Sequence, residues 1–305
     1  MKPNQIYSKT MPFVWAKLLL GLATVVISVV IFAILMGVAW LMNSEGVFFV
    51  MFCIWLAVTS IVNFILNRYI GYLIKAGHVA VIAEAVATGR VPDNQIAYGK
   101  QMVKERFAAS NVYFVVDRLV SGAVRQIQKS IEKIGNMMGF IPGMGAVVKF
   151  TNMFVGVALG YIDECCLGYT FYKKDQSAFK SAADGVVIYA QNWKKLLKDA
   201  AKTTALVIVL LVVITLVSFL FFGFVFRLFG WNGFVAFIIA CFTAWAVKSA
   251  FMDSYMMVRM MVSYMQEAPS TVITFDLYDK LCGWSDKFKK LFDRGKKETP
   301  NANVV

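Results

Sequence analysis

One histidine, His78, is all that the 305 residues contain. A His-based metal site or a Ser-His-acid triad therefore has almost no material. The cysteines number five, Cys53, Cys165, Cys166, Cys241 and Cys282, and most sit in apolar stretches. An odd, apolar set argues against a disulfide framework, and the vicinal pair Cys165–Cys166 reads as small packing side chains. No G-x-x-x-x-G-K-[ST], G-x-S-x-G or H-E-x-x-H occurs. These absences remove the usual routes to nucleotide, acyl and zinc chemistry. The expectation is no enzyme, no cofactor and no metal.

Charge is missing over long runs. Leu18 to Ser44 is 27 residues without Asp, Glu, Lys or Arg, and Gly46–Asn67, Thr203–Phe226 and Leu228–Val247 are equally bare. About 20 apolar residues in a helix cross the hydrocarbon core of a bilayer, and a helix satisfies its own backbone there. The composition agrees: 59% hydrophobic and 16% charged, against roughly 45–50% and 25% in soluble domains. The first run is too long for a signal-peptide core and no small-x-small cleavage pattern closes it. The expected fold is all-α and polytopic. It has two transmembrane hairpins, a re-entrant or buried helix, and cytoplasmic amphipathic helices.

The formal net charge of +13 is distributed by region. Lys2, Lys9 and Lys17 precede the first run; residues 68–138 carry ten Lys/Arg against five acids, and 173–202 carry seven Lys against three Asp. The short turns hold only Glu45 and Arg227. Basic residues collect on the cytoplasmic side, so an integral membrane protein with both termini cytoplasmic is expected. The segments are then 1–76, an N-terminal hairpin; 77–138, amphipathic helices; 139–173, a re-entrant or fifth membrane helix; 174–202, an amphipathic helix; 203–265, a C-terminal hairpin; and 266–305, a basic amphipathic helix with a polar tail. Asp163 and Glu164 interrupt the third of these. Its opening, Gly139-Phe-Ile-Pro-Gly-Met-Gly145, has the Pro/Gly density of a loop.

Val116, Val120, Val124, Ile127, Ile131 and Ile134 recur at three- and four-residue steps, which predicts a helix with one apolar stripe. Leu277, Tyr278, Leu281, Trp284, Phe288, Leu291 and Phe292 form another beside a basic patch. Such helices lie in the membrane interface, which makes Trp284, Phe288, Lys289 and Lys290 candidates for it. Packing on the protein's own helices is the equal alternative. The positive charge follows topology, so anionic lipid is the expected partner and nucleic acid is not.

Ionisable groups inside apolar helices are costly and point to function. Asp163 and Glu164 form one such cluster, and Lys248 and Asp253 the other. Lys248 and Asp253 are five apart, a poor spacing for pairing within an α-helix, and Asp163 or Glu164 are the expected partners from another helix. All four are candidates for a transport path; ion pairing that only holds helices together is the plain alternative. Gly156, Gly160 and Gly168 share a helix face with Glu164 and suit close helix packing.

Ser181-Ala-Ala-Asp184-Gly-Val-Val-Ile-Tyr-Ala-Gln-Asn192, Phe234-Val235 and Ala250-Phe251-Met252-Asp253-Ser254-Tyr255-Met256 carry a resemblance over residues 178–265. The stretch resembles the C-terminal part of the choline transporter-like family, in which an amphipathic element leads into a final membrane hairpin. The acid that follows Tyr in that family has no counterpart at Met256 or Met257, and Asp253 is the one site residue the resemblance carries over. The leading expectation is an oligomeric transporter or channel subunit for a small cationic solute. The alternative is an oligomeric membrane-organising scaffold that binds anionic lipid through its basic helices.

Overall fold

The computed structural model describes residues 1–107, 110–138, 160–228 and 233–298. Among them every regular element is helical and no strand occurs. The chain opens with α1 (Pro3–Lys9), α2 (Met11–Met42) and α3 (Glu45–Leu66). Asn43, at φ 46°, turns the chain between α2 and α3 in the left-handed region that Asn tolerates. A π-helical turn, Asn67–Gly71, leads without a break into α4 (Tyr72–Thr88), followed by α5 (Gln95–Phe107) and α6 (Ser110–Met138). After these come α7 (Ile162–Tyr172), α8 (Ala178–Leu228) and α9 (Gly233–Val247). A second π turn, Lys248–Met252, leads into α10 (Asp253–Glu267), and α11 (Phe275–Trp284) and α12 (Asp286–Glu298) complete the chain.

Three stretches are long and apolar enough to cross a membrane: Met11–Met42, Glu45–Thr88 and Lys198–Leu228. In the most apolar window of the first two, none of the residues is buried within the protein. Leu41 is 76% exposed, Phe49 70% and Leu220 70%. Apolar surface on this scale is what lipid covers and water does not. Residues 229–232 of the fourth uncharged run lie outside the described residues, and α9, which follows them, counts 15 residues.

The core lies elsewhere. α4 is buried on all sides from Ala76 to Ala83, as expected of a helix surrounded by others. Around it pack α5, α7, α10 and the start of α2, with α1 against α10, and α6, α12 and the first half of α8 closing the body. Small residues let α4 and α5 cross closely. A Cβ on Gly99 would stand 2.8 Å from the Cα and carbonyl oxygen of Gly77. The stripe expected on α6 is buried at Val116, Val120, Val124 and Ile127, while Arg118, Arg125 and Lys129 face out. On α11 and α12, Leu281, Phe288 and Leu291 are fully buried, held against α6 and α8. Phe288 therefore points into the protein's own core, and the exposed residues of that interface set are Trp284, Lys289 and Lys290.

α8 joins the two parts. Its 51 residues run for about 75 Å at 1.5 Å per residue. Ala182, Ala183, Val186 and Val187 are in the core, whereas Leu216, Val217 and Phe221 are exposed on the apolar half. The α2–α3 pair meets the α9 end of the chain chiefly through the second π turn, where the Trp15 and Phe251 rings pack edge to face at 5.7 Å.

Candidate functional site

A cleft of about 990 Å³ opens between α2, α3 and the α9 end of the chain. Its walls expose mainly apolar surface, with Leu18, Leu22, Val25, Val29, Trp55 and Trp245 among them. Hydroxyl and amide side chains also reach it: Thr24, Ser28, Thr59, Ser60, Asn63 and Asn67. Several are satisfied locally, as an apolar setting requires. Thr24 Oγ1 donates to the Leu20 carbonyl at 2.8 Å, Ser60 Oγ to that of Leu56 at 2.6 Å, and Trp55 Nε1 to that of Ser28 at 3.0 Å. At the cleft's foot stand two ammonium groups, Lys17 and Lys75, and no carboxylate is among its lining residues.

Lys75 is the centre of the charge network. It lies one turn past the first π turn, on the face of α4 that meets α7. Its Nζ is 2.7 Å from Glu164 Oε1 and 3.3 Å from Asp163 Oδ2. Both acids occupy the first turn of α7, where the helix dipole favours negative charge. Ser121 of α6 donates to Asp163 Oδ2 at 3.2 Å. Burial alone would raise both carboxyls. For Asp163, hydrogen bonds from Glu164, Lys75 and Ser121 outweigh burial and hold the group below the usual carboxylate range. For Glu164, burial and the charge of Asp163 outweigh Lys75 and push the carboxyl well above that range. Glu164 Oε2 is buried and accepts no hydrogen bond.

Asp117, on α6, sits beside this pair. Burial, reinforced by the charge of Asp163, pushes its carboxyl up to about 6, against the pull of Lys75, Tyr72 and Arg68.

The second charged pair closes on itself. Lys248 Nζ is 2.9 Å from Asp253 Oδ1 and 3.1 Å from Oδ2. The intervening turn is π-helical, with its backbone bonds running i to i+5, so residues five apart lie over one another. That is why Lys248 and Asp253 pair within one continuous helical run instead of reaching Asp163 and Glu164. The two clusters still adjoin. Tyr161 donates from its hydroxyl to Asp253 at 3.5 Å, immediately before α7, and Lys17 donates to Ser254 Oγ at 3.0 Å.

Of the small-residue face, Gly156 lies outside the described residues, and so do residues 139–159, which hold most of the expected re-entrant segment. Gly160 is exposed in the turn before α7. Gly168 is buried, and a Cβ there would come within 2.6 Å of the Met261 methyl on α10.

Two polar anchors join the body without a sequence motif. Arg106 donates to the carbonyls of Thr170 at 2.6 Å, Lys173 at 2.9 Å and Gln176 at 2.8 Å, and to Ser181 Oγ at 2.9 Å. It thereby satisfies the carbonyl end of α7 and the loop to α8. Asp184, buried on α8, accepts from Lys180 at 2.5 Å, from Gln176 at 2.9 Å and from the Tyr278 hydroxyl. The one histidine is buried on α4, with Nε2 3.0 Å from Thr10 Oγ1 and its ring stacked on Phe13.

Among the described residues no group of three or more His, Cys, Asp or Glu is placed to hold a metal ion. No family model, curated protein or solved structure matches this chain.

Proposed function

We propose that the chain is a membrane transport protein whose solute is an anionic amphiphile bound in the cleft between α2–α3 and the α9 end. In this reading α2–α3 and α8–α9 are two membrane hairpins, each going out and back, and both termini share the cytoplasmic side with the helical body. The observation that carries the proposal is the lining of the cleft. Its aliphatic and indole walls suit an apolar tail. The two lysines at its foot, with no carboxylate among the residues that line it, suit an anionic head that would draw Lys75 from Asp163 and Glu164. A cationic solute, the expectation from the acidic clusters, would meet two ammonium groups first. π turns flank the foot on both sides, at Asn67–Gly71 and Lys248–Met252, and such turns are frequent at functional sites.

The mechanism follows from Lys75. With the cleft empty, its charge is matched by Asp163 and Glu164. An anion arriving at Nζ competes with Glu164 for the same ammonium. Glu164 then holds its proton more tightly, so anion and proton bind together and each strengthens the other. A single copy encloses little beyond this open cleft, and a second copy against the bare flank of α2–α3 would close it. The functional unit is therefore a homo-oligomer.

Flux in proteoliposomes tests the proposal. A fluorescent fatty acid or anionic lipid should move, and Lys75→Met should abolish that movement. Glu164→Gln should leave flux measurable but remove its dependence on a pH gradient. Movement of a quaternary ammonium compound, with no movement of the anions, would overturn the assignment.

One observation favours a scaffold instead. Glu164 is only 5% exposed and already paired, the form that a purely structural ion pair takes. If the triple variant Lys75→Met/Asp163→Asn/Glu164→Gln folds and every wild-type function survives, the network is structural and the scaffold reading stands.

A further inference from the structure

A second cleft, of about 750 Å³, lies on the other side of the first π turn. Four cations line it: Arg68 from that turn, Arg118 and Arg125 from α6, and Lys287 from α12. One carboxylate, Asp117, shares the lining. Among the described residues none of the four cations stands within ion-pair distance of an acid. Their positions are nevertheless built. The Arg68 guanidinium lies 5.2 Å from the centroids of both Phe64 and Phe114, and that of Arg118 lies 5.6 Å from Phe114. Lys287 crosses α6 at Gly122, where a Cβ would come within 3.1 Å of its Cγ. Three elements thus bring like charges together around one space. Concentrating unpaired positive charge in this way costs energy unless an anion occupies the space.

The position of Arg68 identifies the anion's source. Gly46–Asn67 carries no charge, so Arg68 is the first charged residue beyond a run long enough to cross the hydrocarbon core. A guanidinium there sits at headgroup depth, and guanidinium groups bind phosphate oxygens in bidentate fashion. We propose that this cleft binds the phosphate headgroup of an anionic lipid, whose acyl chains lie along the exposed flank of α3. The site rests on the membrane reading of α3 but is independent of transport through the first cleft. A failure of flux and a failure of this site are therefore separate results.

The experiment uses the full chain in a neutral detergent. Its thermal unfolding is followed with added phosphatidylglycerol, phosphatidylcholine or glycerol phosphate, because a ligand of the native state raises the midpoint. Phosphatidylglycerol should raise it and the other two should not. Arg118→Gln/Arg125→Gln should weaken the half-saturating lipid concentration roughly 30-fold, about fivefold for each cation lost. The exposed pair Lys100→Gln/Lys104→Gln on α5 removes the same charge elsewhere and should leave the response unchanged. Should the double arginine variant fail to fold, Lys287→Gln alone should give about a fivefold loss. An equal response to phosphatidylcholine, or an unaltered response in both cleft variants, overturns the site. A matching response to glycerol phosphate replaces the lipid with a soluble phosphate compound and overturns the assignment of source.

Discussion

Lys248 and Asp253 are five residues apart, and the π turn between them brings the ammonium within 2.9 Å of the carboxylate. Both side chains are 36% exposed. The pair formed by Lys75 and Glu164 is closer, at 2.7 Å, and its carboxylate side chain is 7% exposed. These two ion pairs should therefore respond very differently to loss of the lysine.

Lys248→Met leaves a carboxylate that water can reach, and stability should fall by under about 1 kcal/mol. Lys75→Met leaves two carboxyls buried without a cation, and the loss should be about 3–5 kcal/mol. Adding Asp163→Asn and Glu164→Gln should restore most of it. Thermal unfolding in detergent measures all three, and equal losses in the two single variants would show that Lys75 is hydrated.

Asp117 supplies a pH dependence with a definite sign. Its carboxyl moves from 3.8 to about 6 on folding. A carboxyl raised in the native state stabilises it while protonated. That contribution is complete below about pH 4, is lost as the pH rises through 6, and amounts to roughly 3 kcal/mol. Asp117→Asn removes the titration. The stability of the variant relative to wild type should rise between pH 4 and 6 and level off above it. A difference that stays constant over that interval would contradict the burial of this group.

Arg106→Ala should cost about 2–4 kcal/mol, because the Thr170 and Gln176 carbonyls and the Ser181 hydroxyl lose their donor at once and the Lys173 carbonyl keeps only that of Ser181. Arg106→Lys keeps the charge without the planar fork and should recover only part of the loss. Amide exchange of the 173–177 loop should speed up in both. Unchanged exchange there would mean that α7 and α8 hold the loop without Arg106.

Gly99→Ala puts a methyl 2.8 Å from the Gly77 backbone, which cannot move aside, and should cost about 1–3 kcal/mol. Gly168→Ala meets the end of the Met261 side chain, which can rotate away, and should cost less. The reverse order would place the tight crossing at α7–α10 rather than α4–α5.

In a Cys-free background, Ser44→Cys and Lys289→Cys, both at exposed positions, should react with impermeant maleimide from opposite sides of the membrane. Labelling of both from one side would remove the first hairpin.

Three of the four apolar runs are legible as long apolar helices, because uncharged length is visible without any partner. The α6 stripe was legible for a similar reason, since its period of three and four reports one buried face. The partner of Asp163 and Glu164 was not. In the sequence Lys75 reads as one of the basic residues of 68–138, and the only hint of its burial is its place between Ile74 and the apolar turns of α4. The pairing of Lys248 with Asp253 had no such signal. Its π turn widens the helix by one residue, and neither Ser249 nor Ala250 announces that. The interface reading of Phe288 shows a further limit, because an apolar stripe beside lysines looks the same whether it faces lipid or α6 and α8.

α8 crosses from the core to the apolar surface as a single helix of 51 residues, with no proline or described break along it. A rod of this kind works as a lever. A few degrees of tilt imposed on its apolar half would displace its other end by several ångströms over about 75 Å. That end carries Asp184 and packs on α7, the helix that positions Glu164. The geometry of the carboxylate pair is thereby tied to the orientation of the apolar half of α8.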